Sequence, residues 1–182
     1  SAGNPDRVFV FGSTSKITFA GSGISGIGAS ESNIKWMKGH LSMSTIGPDK
    51  INQVRHVRFF KNFAGLQDHM KKHAALIKPK FDIVISILEA QLGEKSLASW
   101  TNPKGGYFIS LDTNEGCAKR VVQLASEAGV KLTAAGATFP YKNDPKDRNI
   151  RLAPTLPSVP EIKLAMEVVC LCVELADAEK NA

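Results

Sequence analysis

No stretch of the sequence approaches the roughly 18 consecutive apolar residues that a membrane-spanning helix needs, so no membrane partner is expected. Cysteine is scarce as well. Three residues, an odd number, give no disulfide framework and point to a reducing, cytoplasmic location. Cys170 and Cys172 share C-x-C spacing, but they lie in an apolar helical pattern without a further ligand cluster and read as buried thiols rather than metal ligands. Long runs of one charge are also missing. The 23 basic and 17 acidic residues leave a net charge of +6, yet the basic ones are spread out and alternate with acids. The densest run, Arg55-His56-Val57-Arg58 onward to Lys61, has apolar residues between its charges and reads as a helix with one solvated basic face, so nucleic acid is not expected as a partner. The opening Ser1-Ala2-Gly3-Asn4-Pro5-Asp6-Arg7 has no signal-peptide pattern, and neither an internal repeat nor a low-complexity segment occurs.

What is present is the composition of a soluble globular protein, 43% hydrophobic and 22% charged over 182 residues. That length suffices for a single core, or for one small domain and part of another. Attention falls on Arg7 to Gly28. Val8, Phe9, Val10 and Phe11 form a β-branched and aromatic run that reads as a buried strand, broken at Gly12. Ser13, Thr14, Ser15 and Lys16 follow, and then a glycine-rich apolar segment. A lysine just past a strand end, with no nearby carboxylate, is costly to bury as an ammonium, and such a lysine is suited to attack a carbonyl.

Four readings of this stretch compete. Ser13 to Lys16 fits S-x-x-K, a serine-nucleophile motif, but the accompanying S-D-N and K-T-G strings are absent. Gly21 to Gly26 fits G-x-G-x-x-G, but a hydroxyl-lysine segment intervenes after the strand, and Ile24 and Ile27 look like another strand rather than a helix start. Lys16 as an ordinary loop lysine is the plain alternative. The fourth reading is a lysine that binds a carbonyl cofactor.

Along the chain, strands are expected over 7–12 and about 23–30, and helices over roughly 31–43, capped by Ser30 or Ser32, and about 48–62. The strongest periodic signal is over 65–92. Leu66, Met70, Ile77, Phe81, Val84, Ile85, Leu88 and Leu92 fall on one stripe, and Pro79 should bend or divide that helix. His69 and His73 are four apart on it, and with Lys71 and Lys72 between them they read as a solvated face. Beyond Gly93, Leu97–Thr101, Tyr107–Asp112, Val130–Thr133 and Asn149–Ala153 read as strands, Glu115–Ala128 and Ser158 to about Lys180 as helices, and Ala134–Arg148 as a functional loop. Ile150 and Leu152 face one side of the last strand, so Arg151 faces the other, toward either solvent or a cleft.

These motifs carry a resemblance. Ser13-Thr14-Ser15-Lys16 with the glycine-rich segment after it, Ser44-Thr45-Ile46-Gly47-Pro48-Asp49-Lys50-Ile51-Asn52-Gln53, Gly105-Gly106-Tyr107-Phe108-Ile109-Ser110-Leu111-Asp112, Ala135 to Tyr141, and Asp147 to Pro154 occur in the order of the fold-type I aminotransferases that depend on pyridoxal 5'-phosphate. The chain resembles their aspartate-aminotransferase-like, MocR-type group over nearly its whole length. The resemblance implies an α/β fold: the end of the large PLP-binding domain (1–64), a linking helix (65–94) and a small C-terminal α+β domain (95–182). It implies a transaminase moving an amino group between an amino acid of the aspartate or glutamate type and a 2-oxo acid. Lys16 would be the catalytic lysine holding the cofactor aldehyde, Ser13 and Ser15 would bind its phosphate, and Arg151 would grip the substrate α-carboxylate, with Arg148 as second choice. Tyr107 would pack between domains. A homodimer is implied, with Ser44, Thr45 and Gln53 near the neighbour's cofactor.

Two departures stand out. Where many relatives carry a phosphate-clamping arginine about nine residues after the lysine, this chain has Ser25. The chain also begins almost at the cofactor lysine, so the family's aspartate for the pyridine nitrogen and its ring-stacking aromatic have no counterparts; neither Asp6 nor Asp112 stands in a matching motif. The expectation is therefore a C-terminal piece of the enzyme, inactive alone, and the alternative is a non-catalytic dimerisation or binding module.

Overall fold

A computed structural model describes residues 3–182. The chain divides into two compact units, 1–75 and 76–182, with the boundary inside a helix.

In the first unit, a short 3-10 turn, Pro5–Arg7, leads into β1 (Phe9–Ser13), which pairs antiparallel with β2 (Ser25–Ala29). Helix α1 (Glu31–Ser44) starts at Ser30, whose hydroxyl accepts from the Asn33 N–H. Helix α2 (Lys50–Phe60) starts at Asp49, whose carboxylate accepts from the Asn52 N–H. Each cap satisfies one of the orphan donors of a helix start. Asp6 accepts from the Ser32 hydroxyl, and the hydroxyls of Ser30 and Ser32 hold its carboxyl below the usual range. The expectation of a buried first strand is not met within this chain. Val8, Val10 and Phe11 are exposed, because a two-stranded ribbon has no second layer here to lie on.

Helix α3 (Phe63–Leu92) is continuous through Pro79, so the division expected there as one alternative does not occur. The two units part between Ala75 and Leu76. Ala75 is four residues before Pro79, so its carbonyl is the one that Pro79 has no N–H to reach.

The second unit holds the hydrophobic core. A three-stranded antiparallel sheet, in the order β3 (Ala98–Trp100), β4 (Ile109–Thr113), β5 (Asn149–Leu152), is joined by α4 (Ala118–Glu127) and α5 (Val159–Asn181). Ile109, Leu111, Ile150 and Leu152 project from one sheet face into a cluster with Val84, Leu88 and Leu92 of α3, Val121 of α4, and Val169 and Val173 of α5. Gly129 ends α4 with φ 88°, a conformation that favours glycine. Ser158 and Glu161 form a reciprocal capping box at the start of α5. Val130–Thr133, read as a strand, joins no sheet and serves as a connection. Cys117, Cys170 and Cys172 are free and buried. No helix among the described residues is long and apolar enough to cross a membrane.

Candidate active site

The lysine segment is built from the β1–β2 hairpin outward. The Thr14 N–H donates to the Ile24 carbonyl and the Ile24 N–H donates to the Thr14 hydroxyl oxygen, both at 2.8 Å, closing the hairpin above its last strand pair. The N–H groups of Ile17 and Thr18 then donate to the Thr14 carbonyl at 2.9 and 3.0 Å. The result is one tight turn over 14–18 with Lys16 at its middle. Lys16 is exposed, so a buried, desolvated lysine is not what this chain by itself presents.

Ser13 and Ser15 flank the same turn. Their hydroxyl oxygens are 2.7 Å apart, and the Ser15 N–H donates to the Ser13 hydroxyl oxygen at 3.1 Å. Gly23 lies directly beneath: a Cβ there would come within 2.6 Å of the Ser15 Oγ and 2.8 Å of its Cα. The glycine is required by close approach of two backbone segments, not by its torsion angles. Ser25 stands opposite Ser13 in the strand register, so the two side chains share a face of the ribbon. Three hydroxyls that can each rotate to donate thus lie around the lysine turn. That donor set fits a phosphate monoester next to a carbonyl-binding amine.

Arg151 lies in the second unit, on β5, paired in register with Ser110 of β4. Ile150 and Leu152 on either side are 1% and 3% exposed, so the alternation is real and Arg151 points away from the core. Its guanidinium carbon sits 4.5 Å from the centre of the Phe108 ring, a cation–π contact that seats the fork on an aromatic face. Its Nε is buried without a hydrogen-bond partner, and no carboxylate among the described residues pairs with it. Arg148 differs. Its Nη2 faces the Asp112 carboxylate at 3.8 Å, which makes it the less available of the two for an external carboxylate.

The loop before β5 is pinned by Asp144. Its buried carboxylate accepts from the N–H groups of Lys146, Arg148 and Asn149 at 2.8–3.0 Å. Burial alone would raise its pKa, but these backbone donors outweigh it and hold the carboxyl below its ordinary range. Asn149 carries the pin into the sheet, donating from Nδ2 to Ser110 and Asp112 and accepting from the Thr138 hydroxyl. The structure thus gathers Ser13, Ser15 and Lys16 on one turn, and describes Arg151 within the other unit. Tyr107 is half-buried near the start of β4.

Several contributors escaped sequence reasoning. Phe108, beneath Arg151, was visible only as the residue after Tyr107. His56 was placed on a solvated basic face, yet it is 6% exposed, with its ring edge-on to Phe19 at 4.9 Å. His69, also read as solvated, is half-buried against Phe60 at 5.1 Å. The missed signal was aromatic: Phe19, Phe59 and Phe60 supply rings that a histidine on the same face will join.

A family model described as aspartate aminotransferase matches residues 1–182. The chain belongs to that family, and its architecture is that of the C-terminal portion of a fold-type I PLP aminotransferase. It is 50% identical over 182 residues to an aspartate aminotransferase of Corynebacterium glutamicum, covering 100% of this chain and 42% of that relative. The crystal structure of an aspartate transaminase from C. glutamicum superposes with TM-score 0.96 at 51% identity, covering 100% of this chain and 43% of that one. The chain therefore spans less than half the length of the relatives it matches. An α-aminoadipate aminotransferase from Thermus thermophilus, solved with N-(5'-phosphopyridoxyl)-L-leucine, shares the fold at 18% identity and TM-score 0.77, over 93% of this chain and 42% of its own.

Proposed function

We propose that this chain is the cofactor-lysine and carboxylate-binding portion of a pyridoxal 5'-phosphate-dependent transaminase. Its substrates would be an amino acid of the aspartate or glutamate type and a 2-oxo acid. The observation that carries this reading is the pair of Ser13 and Ser15 hydroxyls, 2.7 Å apart on the turn that presents Lys16. Family membership supports it, and a non-catalytic dimerisation module would need neither that turn nor an unpaired Arg151. The remaining assignments follow the same reading: 1–64 as the end of the large domain, 65–94 as the linking helix, 95–182 as the small domain, a homodimeric enzyme of the MocR-type group, and a cytoplasmic location.

Bound there, pyridoxal phosphate supplies the electron sink that makes the amino acid's Cα–H acidic. Lys16 would be the amine that holds the cofactor's aldehyde, and its free amine would take the proton from the substrate's Cα and deliver it to the cofactor's C4′ carbon. Ser13 and Ser15 donate hydroxyl hydrogens to phosphate oxygens, and Ser25 adds a neutral donor where relatives place an arginine. Arg151 offers two parallel N–H donors to the substrate α-carboxylate, with Phe108 beneath its guanidinium.

The test is spectral. Pyridoxal phosphate should give wild-type protein a visible-absorbing adduct that Lys16→Ala lacks, and in the enzyme that includes the rest of the large domain aspartate should abolish that band with release of its 2-oxo acid. An identical spectrum in Lys16→Ala would contradict the assignment.

A further inference from the structure

We propose that Asn52 and His56, one turn apart on α2, are positioning residues that hold the Lys16 turn from behind. The inference rests on the reading of Lys16 as the cofactor lysine. Each grips one limb of the loop. His56 reaches the outgoing limb: its Nε2 is 3.0 Å from the Thr18 hydroxyl oxygen, which lies 3.0 Å from the Thr14 hydroxyl oxygen and 3.1 Å from the Thr14 carbonyl. Asn52 reaches the returning limb, donating from Nδ2 to the Ser22 carbonyl at 2.8 Å, next to the Gly23 on which Ser15 rests. The two grips are joined, because the His56 Nδ1–H donates to the Asn52 carbonyl at 2.9 Å. Arg55 completes the assembly by donating to the Asn52 Oδ1 at 2.6 Å.

The chemistry of this chain of contacts favours a fixed geometry. With Nδ1 committed as a donor to a carbonyl, a neutral His56 has Nε2 as an acceptor for the Thr18 hydroxyl. Thr18 and His56 are 5% and 6% exposed, so an unmade bond there is not replaced by water. Rings of Phe19 and Phe60 close the sides of the imidazole, at 4.9 and 5.8 Å. The first unit buries few side chains, and among the described residues its buried ones are Thr18, His56 and Phe60. Its best-packed point is therefore the back of the lysine turn, while Lys16 itself is exposed. A side chain that must meet a carbonyl carbon gains from a backbone that does not move, since small misplacements cost orders of magnitude in rate.

The experiment measures selectivity of adduct formation in the 182-residue chain. Protein is mixed with limiting pyridoxal phosphate, reduced with borohydride and digested, and the adduct at Lys16 is compared with that at the exposed Lys131. Amide exchange at Ile24, whose N–H donates to Thr14, is followed in parallel. Wild type should favour Lys16. Thr18→Val and Asn52→Asp should lower the Lys16-to-Lys131 ratio about tenfold and speed Ile24 exchange, and Thr18→Ser, which restores the hydroxyl, should return both toward wild type. His56→Phe, which keeps the ring and loses its nitrogens, should match Thr18→Val; if it fails to fold, the other three variants decide. Faster Ile24 exchange with an unchanged ratio overturns the proposal, since the contacts would then be structural only. A wild-type protein with no preference for Lys16 overturns the cofactor reading and the inference with it.

Discussion

Gly23 and Ser15 approach so closely that any side chain at 23 would collide with Ser15: an added Cβ would lie 2.6 Å from its Oγ, 2.8 Å from its Cα and 2.9 Å from its nitrogen. Two of those three atoms are backbone and cannot rotate away. Gly23→Ala should therefore shift the lysine turn itself, at a cost of about 1–3 kcal/mol, typical of overpacking. The check is a denaturation curve together with the Lys16 adduct yield, both of which should fall. Gly26→Ala is the control, since nothing lies within 4 Å of a Cβ there.

Arg151→Lys should weaken binding of the amino acid substrate by tenfold or more in the active enzyme. A lysine keeps the charge but loses the planar fork and its seat on Phe108. Phe108→Leu should give a smaller loss, because the fork remains and only its support is removed. Titration of the cofactor-loaded protein with substrate measures both. Arg148→Lys, beside Asp112, should change little.

Asp144 sets a pH dependence with a definite sign. Its carboxyl is held below the ordinary value of 3.8, so the stabilisation is complete above that value and is lost as pH falls through the lower folded one. Asp144→Asn should lower stability at pH 7 by about 1–3 kcal/mol, because buried backbone N–H groups lose their charged acceptor. It should also flatten the fall in stability below about pH 4. Urea curves at several pH values for both proteins test this. Glu115, held low by Lys146, and Glu161, held low by Ser158, titrate in the same region in both proteins and cancel in the comparison.

The three thiols should be silent in the folded protein. Burial pushes Cys170 up to about 12 and raises Cys117 and Cys172 as well, so neither access nor thiolate is available. Iodoacetamide should label none of them at neutral pH and all of them in denaturant. Because all three lie in the second unit, their labelling rate reports its opening.

Much of this was legible in the chain itself. The helix start at Ser158, the helix end at Ala128 and the alternation that turns Arg151 away from Ile150 and Leu152 are local signals, and local signals survive without tertiary information. The lysine turn was located by its residue types. Its support was not, because His56 and Asn52 are 30 or more positions from the Thr18 and Ser22 they hold, and His56 sits in a run whose charges suggested solvent. The first strand misled for a different reason: Val8, Val10 and Phe11 carry the pattern of a buried strand, but burial depends on a covering layer that two strands and this chain's first unit do not supply. Pro79 does not divide the helix, because α3 tolerates one missing donor inside a continuous run of helical turns.

The central claim is that Lys16 is the cofactor lysine. It is tested most directly by mapping the borohydride-reduced pyridoxyl adduct on wild type and on Lys16→Arg at equal pyridoxal phosphate. The account predicts one dominant modified peptide, containing Lys16, that disappears in the variant without a compensating site. A spectrum of adducts spread over surface lysines, unchanged by Lys16→Arg, would contradict it.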